Sequence, residues 1–268
     1  MYLKILILTL YLTFNLGRGQ FSDNIDAELN LTSQLFLGYS KTVRPTDYVV
    51  VNVSIYNFQL IGLDEKNQIM TSMCVFLQTW YDPQLSWNPS AYNNITYINV
   101  PADLVWKPQT LVLNAASGDG FLAINKESSY ANIRNGNVFL HTPLLSLQTR
   151  CPLDVREFPF DTQTCNITIL TMPPPLQNIW YTIYTADTFA DSRAISQNGI
   201  WDIGTFNYTN SPYIYGDYRY GRGVSIMFSL SRRGLYYIMN TILPCVILDT
   251  IVFLAFFIPF ANQIAICE

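Results

Sequence analysis

The chain has 268 residues, half of them hydrophobic, with 19 acidic against 15 basic side chains and a net charge of −4. Without a basic patch it is not built to hold nucleic acid, and one histidine beside five cysteines without zinc-type spacing offers no metal site. Neither a nucleophile elbow nor a Gly-rich phosphate loop is present, so the chain reads as no enzyme and calls for no cofactor.

Met1-Tyr2-Leu3-Lys4, an apolar run from Ile5 to Leu16, and Gly17-Arg18-Gly19-Gln20 predict a secretory signal peptide over 1–19. About a dozen apolar residues fall short of the roughly 20 a membrane helix needs. Secretion permits disulfides and gives meaning to five Asn-x-Ser/Thr sequons, at Asn30, Asn52, Asn94, Asn166 and Asn207, each expected at the surface. Residues 20–233 then form an extracellular domain, read as one unit because no linker, charge block or repeat divides them.

Ser22 is placed to cap a short helix with Ile25, Leu29 and Leu35 near one face, ended by Gly38 before Arg44-Pro45. From Tyr48 to Tyr56 strand alternation takes over. Val49, Val51, Val53 and Ile55 point one way, Asn52 and Ser54 the other, which puts the Asn52 sequon on the watered face. Further strand-type runs are Met73–Tyr81, Leu111–Asn114, Val138–Leu147, Cys165–Thr171, Trp180–Thr185 and Gly223–Ser231, with turn-rich pieces between them. Many short strands predict a mainly β sandwich or barrel, whose core suits eighteen Tyr and sixteen Phe.

The composition changes at Gly234. Leu235 to Phe260 carries one acid and no base; as a helix it is about 39 Å long against about 30 Å of hydrocarbon. A membrane span is therefore expected over 234–260, with 261–268 opening a cytoplasmic linker. Pro244 inside the span is tolerable where neighbouring groups satisfy the freed carbonyl. Asp249 costs about 2.5–3.5 kcal/mol at the centre of a membrane helix, so it should face protein or water, which points to a bundle over an isolated anchor. Cys74 reads as a small buried apolar residue, and Cys267 as a thiol on the reducing side.

Cys151 and Cys165 enclose thirteen residues with Phe158-Pro159-Phe160-Asp161 at the tip. The stretch resembles the signature ring of the Cys-loop receptors, the pentameric neurotransmitter-gated ion channels. Asn57–Ile61 followed by Asp64–Gln68 is similar to the family's turn between its first two strands. Trp80–Pro89 and Val105-Trp106-Lys107-Pro108 are nicotinic-like, and Leu243-Pro244-Cys245 falls where the first membrane helix carries its Pro-Cys pair.

The resemblance, over about residues 22–268, implies an extracellular β-sandwich with a short N-terminal helix, followed by one transmembrane helix. It implies a Cys151–Cys165 disulfide, a transmitter-like small-molecule ligand, other subunits in a pentamer, and a postsynaptic plasma membrane. Closing such a ring restricts the unfolded chain by about 3 kcal/mol. The ring is expected at the membrane-facing end, with Phe158, Pro159 and Phe160 pressing on the helices. Asp64 and Glu65 in a neighbouring turn, with Arg232 at the start of the span, should then couple the domain to the membrane, through a Glu65–Arg232 pair.

Some positions depart from the family. Its expected aromatic ligand residues fall at Leu113, Met172 and Val75, and Gly221 replaces a tyrosine. Tyr213, Tyr218 and Tyr220 remain as ligand candidates, and Trp180 is a possible recruit. Acetylcholine is not expected for this subunit alone, while the nicotinic motifs imply a cation channel. Because Cys267-Glu268 stands about where a second helix would begin, the reading is a channel subunit or a fragment of one. The alternative is a truncated, non-conducting membrane subunit that modulates assembly or binds ligand without a pore.

Overall fold

The computed structural model describes residues 24–117, 130–171, 178–183, 198–215 and 218–257. The predicted signal peptide, Ser22, Met172 and the 261–268 segment lie outside them. Helix α1 covers 24–35. The strands are β1 Val49–Asp64, β2 Ile69–Tyr81, β3 Ile98–Pro101, β4 Thr110–Val112, β5 Tyr130–Arg134, β6 Asn137–Arg150, β7 Thr162–Thr171, β8 Ile179–Ile183, β9 Trp201–Tyr215 and β10 Tyr218–Arg232. They pair in the order β3-β5-β6-β2-β1-β8-β10-β7-β4, with β9 on β10. Every pairing is antiparallel except those of β8, which runs parallel to β1 and meets β10 at Arg222 alone.

The ladder closes as a sandwich because strands that are not neighbours in it meet through their side chains. Phe58 of β1 stacks on Phe228 of β10 at 4.5 Å, and Phe206 of β9 meets both edge-on. Val49, Val51, Val53 and Ile55 point into this interior as their alternation predicts. Cys151, just past β6, is bonded to Cys165 of β7 with Cα atoms 5.0 Å apart, so the disulfide closes the loop from one half of the sandwich to the other. Cys74 is buried, and burial pushes its thiol up to about 12.

Three expectations are corrected. In α1 the buried residue is Leu31, with Leu35 and Phe36 packed on the core, whereas Ile25 and Leu29 are exposed. At about 100° per residue, positions 25 and 29 lie about 120° and 160° from Leu31, on the far side of the helix. Ser54 is buried rather than watered, and Asn52 is half-buried. Both lie on β1, Asn52 between Thr79 of β2 and Thr182 of β8 and Ser54 opposite Leu77 of β2, where small side chains sink between larger neighbours. Finally β3, β5 and β9 form without having announced themselves. Strand β9 mixes polar and aromatic residues, holds Pro212 and, among the described residues, pairs on one side only, as an edge strand tolerates.

Past β10 the chain enters helix α2, Leu235–Ala255, which is 21 residues long and apolar enough to cross a membrane. Its turn at Ile238–Ile242 is widened, the Leu243 N–H donating back to the Ile238 carbonyl. Pro244 follows at once. Its ring crowds the preceding turn and offers no N–H, which is a cause of such local widening.

Candidate functional site

The end of the sandwich nearest α2 gathers four chain segments around one guanidinium. Strand β1 runs through Asp64 into a turn over 65–68. Asp64 holds that turn by accepting from the Asn67 backbone N–H at 3.0 Å and from Asn67 Nδ2 at 2.7 Å. Glu65 is thereby presented at the corner. The loop of the disulfide ring brings in Phe158 and Asp161, β9 brings Trp201, and β10 ends on Arg232.

Arg232 has no exposed side-chain surface. Its Nε donates to Asp161 Oδ1 at 2.6 Å and its Nη2 to Asp161 Oδ2 at 3.1 Å, a two-pronged pairing that fixes the plane of both groups. Nη1 donates to Glu65 Oε1 at 2.5 Å and to the Tyr237 hydroxyl at 3.1 Å. The guanidinium also lies 4.4 Å from the Trp201 ring centre, 4.9 Å from Phe158 and 5.2 Å from Tyr237. Three aromatic faces thus replace the water a cation normally keeps.

Asp161 is held as firmly. Gln163 donates to its Oδ2 at 2.6 Å and shares that nitrogen with the Asp154 carbonyl, while Gln163 Oε1 accepts from the Asp154 N–H. Burial alone would raise the Asp161 carboxyl, but the hydrogen bonds from Arg232 and Gln163 outweigh it and hold the group below the ordinary carboxylate range. For Arg232 burial acts in the opposite sense, and Asp161 and Glu65 overcome it, so the guanidinium is more firmly protonated than usual. The pairing locks both charges in place.

The ring tip touches the start of the membrane helix. Phe158 meets Tyr237 edge-on at 4.9 Å. At Gly234 a Cβ would come within 3.0 Å of both Phe160 Cε1 and the Pro159 carbonyl, so the two segments approach as closely as a residue without a side chain allows. The next residue outward, Arg233, pairs with Asp202 on β9.

The structure therefore joins Glu65, Phe158 and Arg232 in one cluster, sets Pro159 and Phe160 against Gly234, and leaves Asp64 to its own turn. Sequence reasoning missed Asp161 as the principal anion, although it stands within the quoted tip. It also missed Gln163, Trp201 and Tyr237. An acid in a greasy tip, and a tyrosine five residues after an arginine at a membrane boundary, were the available signals.

At the other candidate site, Val75 is half-buried on β2 and Leu113 is 45 % exposed just past β4. Tyr213 pairs with Tyr220 and Tyr215 with Tyr218 across the β9–β10 hairpin, whose side chains there lie outside the described part. Trp180, on the neighbouring β8, is 40 % exposed with its ring 6.4 Å from Tyr48. Among the sequons, Asn30, Asn94 and Asn207 are exposed, while Asn52 and Asn166 are half-buried.

Residues 28–234 match the neurotransmitter-gated ion-channel ligand binding domain. The chain is 32 % identical to the neuronal acetylcholine receptor subunit alpha-4 of Mus musculus, over 95 % of this chain and 41 % of that one. The alpha-4 subunit of Homo sapiens is also 32 % identical, over 87 % of this chain and 37 % of its own, and the alpha-2 subunit of Gallus gallus is 31 % identical, over 87 % and 44 %. The chain spans about two fifths of the length of these curated relatives.

Proposed function

The chain belongs to the neurotransmitter-gated ion-channel family, as a nicotinic-like subunit, and from that premise we propose that it senses a small extracellular ligand and passes the signal to a membrane gate. In this reading it works beside other subunits in a pentamer, with the sandwich outside the cell, α2 in the plasma membrane and a cation-selective pore in the complete assembly. The family is one of ligand-gated channels and not of enzymes, and no catalytic role is assigned.

One observation carries the coupling step. A single buried guanidinium is bonded at once to the β1–β2 turn through Glu65, to the disulfide ring through Asp161 and to α2 through Tyr237. Any rotation of the sandwich halves that displaces either carboxylate must move Arg232, and Arg232 is three residues from the helix. Rigid attachment makes the transfer possible: the disulfide and Gln163 keep Asp161 from yielding alone.

The ligand-binding contribution differs from a cation cage. Relatives are named as acetylcholine receptor subunits, and each aromatic face around an ammonium contributes about 0.5–2 kcal/mol. Valine and leucine at positions 75 and 113 have no such face. We therefore assign this subunit a ligand other than acetylcholine, or a structural share in a junction whose aromatic side is supplied by its neighbour.

The test is a double-mutant cycle in oocytes. The full transcript is co-expressed with an alpha-4 subunit, transmitters are applied as a panel, and Glu65→Gln, Arg232→Gln and the double variant are compared by current. Coupling predicts that the double variant is no worse than the poorer single one. Additive losses overturn the Glu65–Arg232 step.

A further inference from the structure

One apolar patch on the sandwich has no role in the junction. Strand β8 runs parallel to β1 with Trp180 opposite Val50 and Thr182 opposite Asn52. Tyr48, Val50 and Trp180 are all exposed, and the Tyr48 ring meets the indole edge-on at 6.4 Å. The other four tryptophans of the chain are buried. Clustered rather than scattered, such side chains mark a surface that something covers. Asn52 stands two residues beyond Val50 on the same face of β1, while Tyr48 stands two before it. At ordinary sheet spacings Asn52 is about 8 Å diagonally from Trp180. Its neighbours across the strands, Thr79 and Thr182, are half-buried as it is, so this row is low and open to solvent. One row further the face closes, with Ser54 and Leu77 opposite each other and buried. Asn52-Val53-Ser54 is a sequon. The Asn166 amide is already bonded to Thr168 and Ser225, whereas that of Asn52 has no hydrogen-bond partner among the described residues.

We propose that Asn52 carries an N-linked glycan whose first N-acetylglucosamine lies over the Thr79–Thr182 row with one face against Trp180, so that the sugar covers the Tyr48–Val50–Trp180 patch. The chemistry suits both sides. The C–H face of a pyranose ring is apolar and slightly positive and the face of an indole is negative, so they attract as an aromatic edge and an aromatic face do. The hydroxyls of the sugar turn to water, and a hydrated surface replaces a greasy one. The attachment also holds the occupant beside the patch at a high local concentration, which a free partner has to match by affinity. Threonine on both sides leaves room above the asparagine that a bulkier pair fills. Burial of Ser54 in the folded strand is no obstacle, because the sugar is transferred to the extended chain as it is made. The inference rests on the sandwich lying outside the cell and not on the ligand assigned to it.

The experiment uses the full chain, expressed in cultured mammalian cells and purified in detergent. Glycopeptide mapping should find Asn52 occupied. Acrylamide quenching of tryptophan fluorescence then reads Trp180, the exposed one of the five. Asn52→Gln and Ser54→Ala both remove the sugar, by different routes, and each should raise the quenching constant of that component about twofold, since one of the two ring faces is uncovered. Asn207→Gln, which removes a sequon on β9, should leave the constant unchanged, as should Asn52→Gln in a Trp180→Phe background. Retention of the Cys151–Cys165 bond on non-reducing gels checks that each variant has folded. An unmodified Asn52 beside occupied Asn30 and Asn94, or equal quenching with and without the sugar, would overturn the proposal. So would shielding of Trp180 that grows with protein concentration, which gives the patch to a second copy. Sugar at none of the sequons would overturn the extracellular reading too, whereas its lack at Asn52 alone leaves that reading standing.

Discussion

Replacing Asp161 by asparagine should damage the protein far more than replacing Glu65 by glutamine, although both carboxylates bond the same arginine. The side chains of Arg232 and Asp161 are 0 % and 2 % exposed, that of Glu65 is 39 % exposed. Removing one partner of a buried ion pair costs about 3–5 kcal/mol, because the other charge is left in a poor medium; an exposed pair is worth about 0–1 kcal/mol. At about 2 kcal/mol per molar urea, a 3 kcal/mol loss lowers the unfolding midpoint by about 1.5 M. The fluorescence of Trp201, buried and 4.4 Å from the guanidinium, reports the transition in the full chain held in detergent. Acid provides a second readout. Asp161 lies below the usual range when folded, so the unfolded chain takes up this proton first, near about 3.9. The stability it contributes is complete above that value and disappears as pH falls through the folded one. Asp161→Asn should lose that part of the acid slope while Glu65→Gln keeps it. Equal midpoints for the two variants, or an undiminished acid slope in Asp161→Asn, would refute the assignment of Asp161 as principal anion.

Phe228→Ala empties the centre of the Phe58–Phe206–Phe228 cluster and should cost about 3–5 kcal/mol in the same unfolding assay. Cys151→Ser should remove about 3 kcal/mol by freeing the ring in the unfolded chain, measured against the wild type without reductant. Glycopeptide mapping should find sugar at Asn30, Asn94 and Asn207 but not at Asn166. The Asn166 amide already donates to Thr168 Oγ1 and Ser225 Oγ and accepts from Asn114. Alkylating reagents should leave Cys74 untouched until the chain unfolds, since its thiol is buried and resists ionisation to about 12.

What could be read from the sequence follows from how local each feature is. The membrane helix and the central part of β1 declare themselves because periodicity and length act within one segment. Strand β9 does not: its place comes from pairing with β10, so neither its polar residues nor Pro212 had to agree with a pattern of their own. The direction of α1 failed for a similar reason, since three apolar residues spread over nearly three turns suggested a face that packing against the sandwich did not choose. At the junction, Glu65 and Arg232 were legible through the resemblance, whereas Asp161 is bound through an arginine 71 residues away. Long-range pairing of charges leaves no periodic trace.

The junction also explains why a covalent bond and an ion pair occupy the same end of the molecule. A disulfide alone fixes the distance between β6 and β7 but lets the tip of the ring swing, since Val155, Phe158 and Phe160 are all exposed. An ion pair alone fixes Asp161 to Arg232 but lets both drift with the loop that carries the acid. Together with Gln163, which ties Asp161 to Asp154 across the ring, they hold one end of the tip fixed, and in the proposed coupling the tip then acts as a lever. The contact at Gly234 sets the other end, and it works only at close range. Gly234→Ala should therefore push the tip outward by a few tenths of an ångström with little loss of stability, and show itself in altered gating instead. If that variant lowers the unfolding midpoint of the sandwich and the channels that still fold gate as the wild type does, the tip is a structural clasp and the lever account fails.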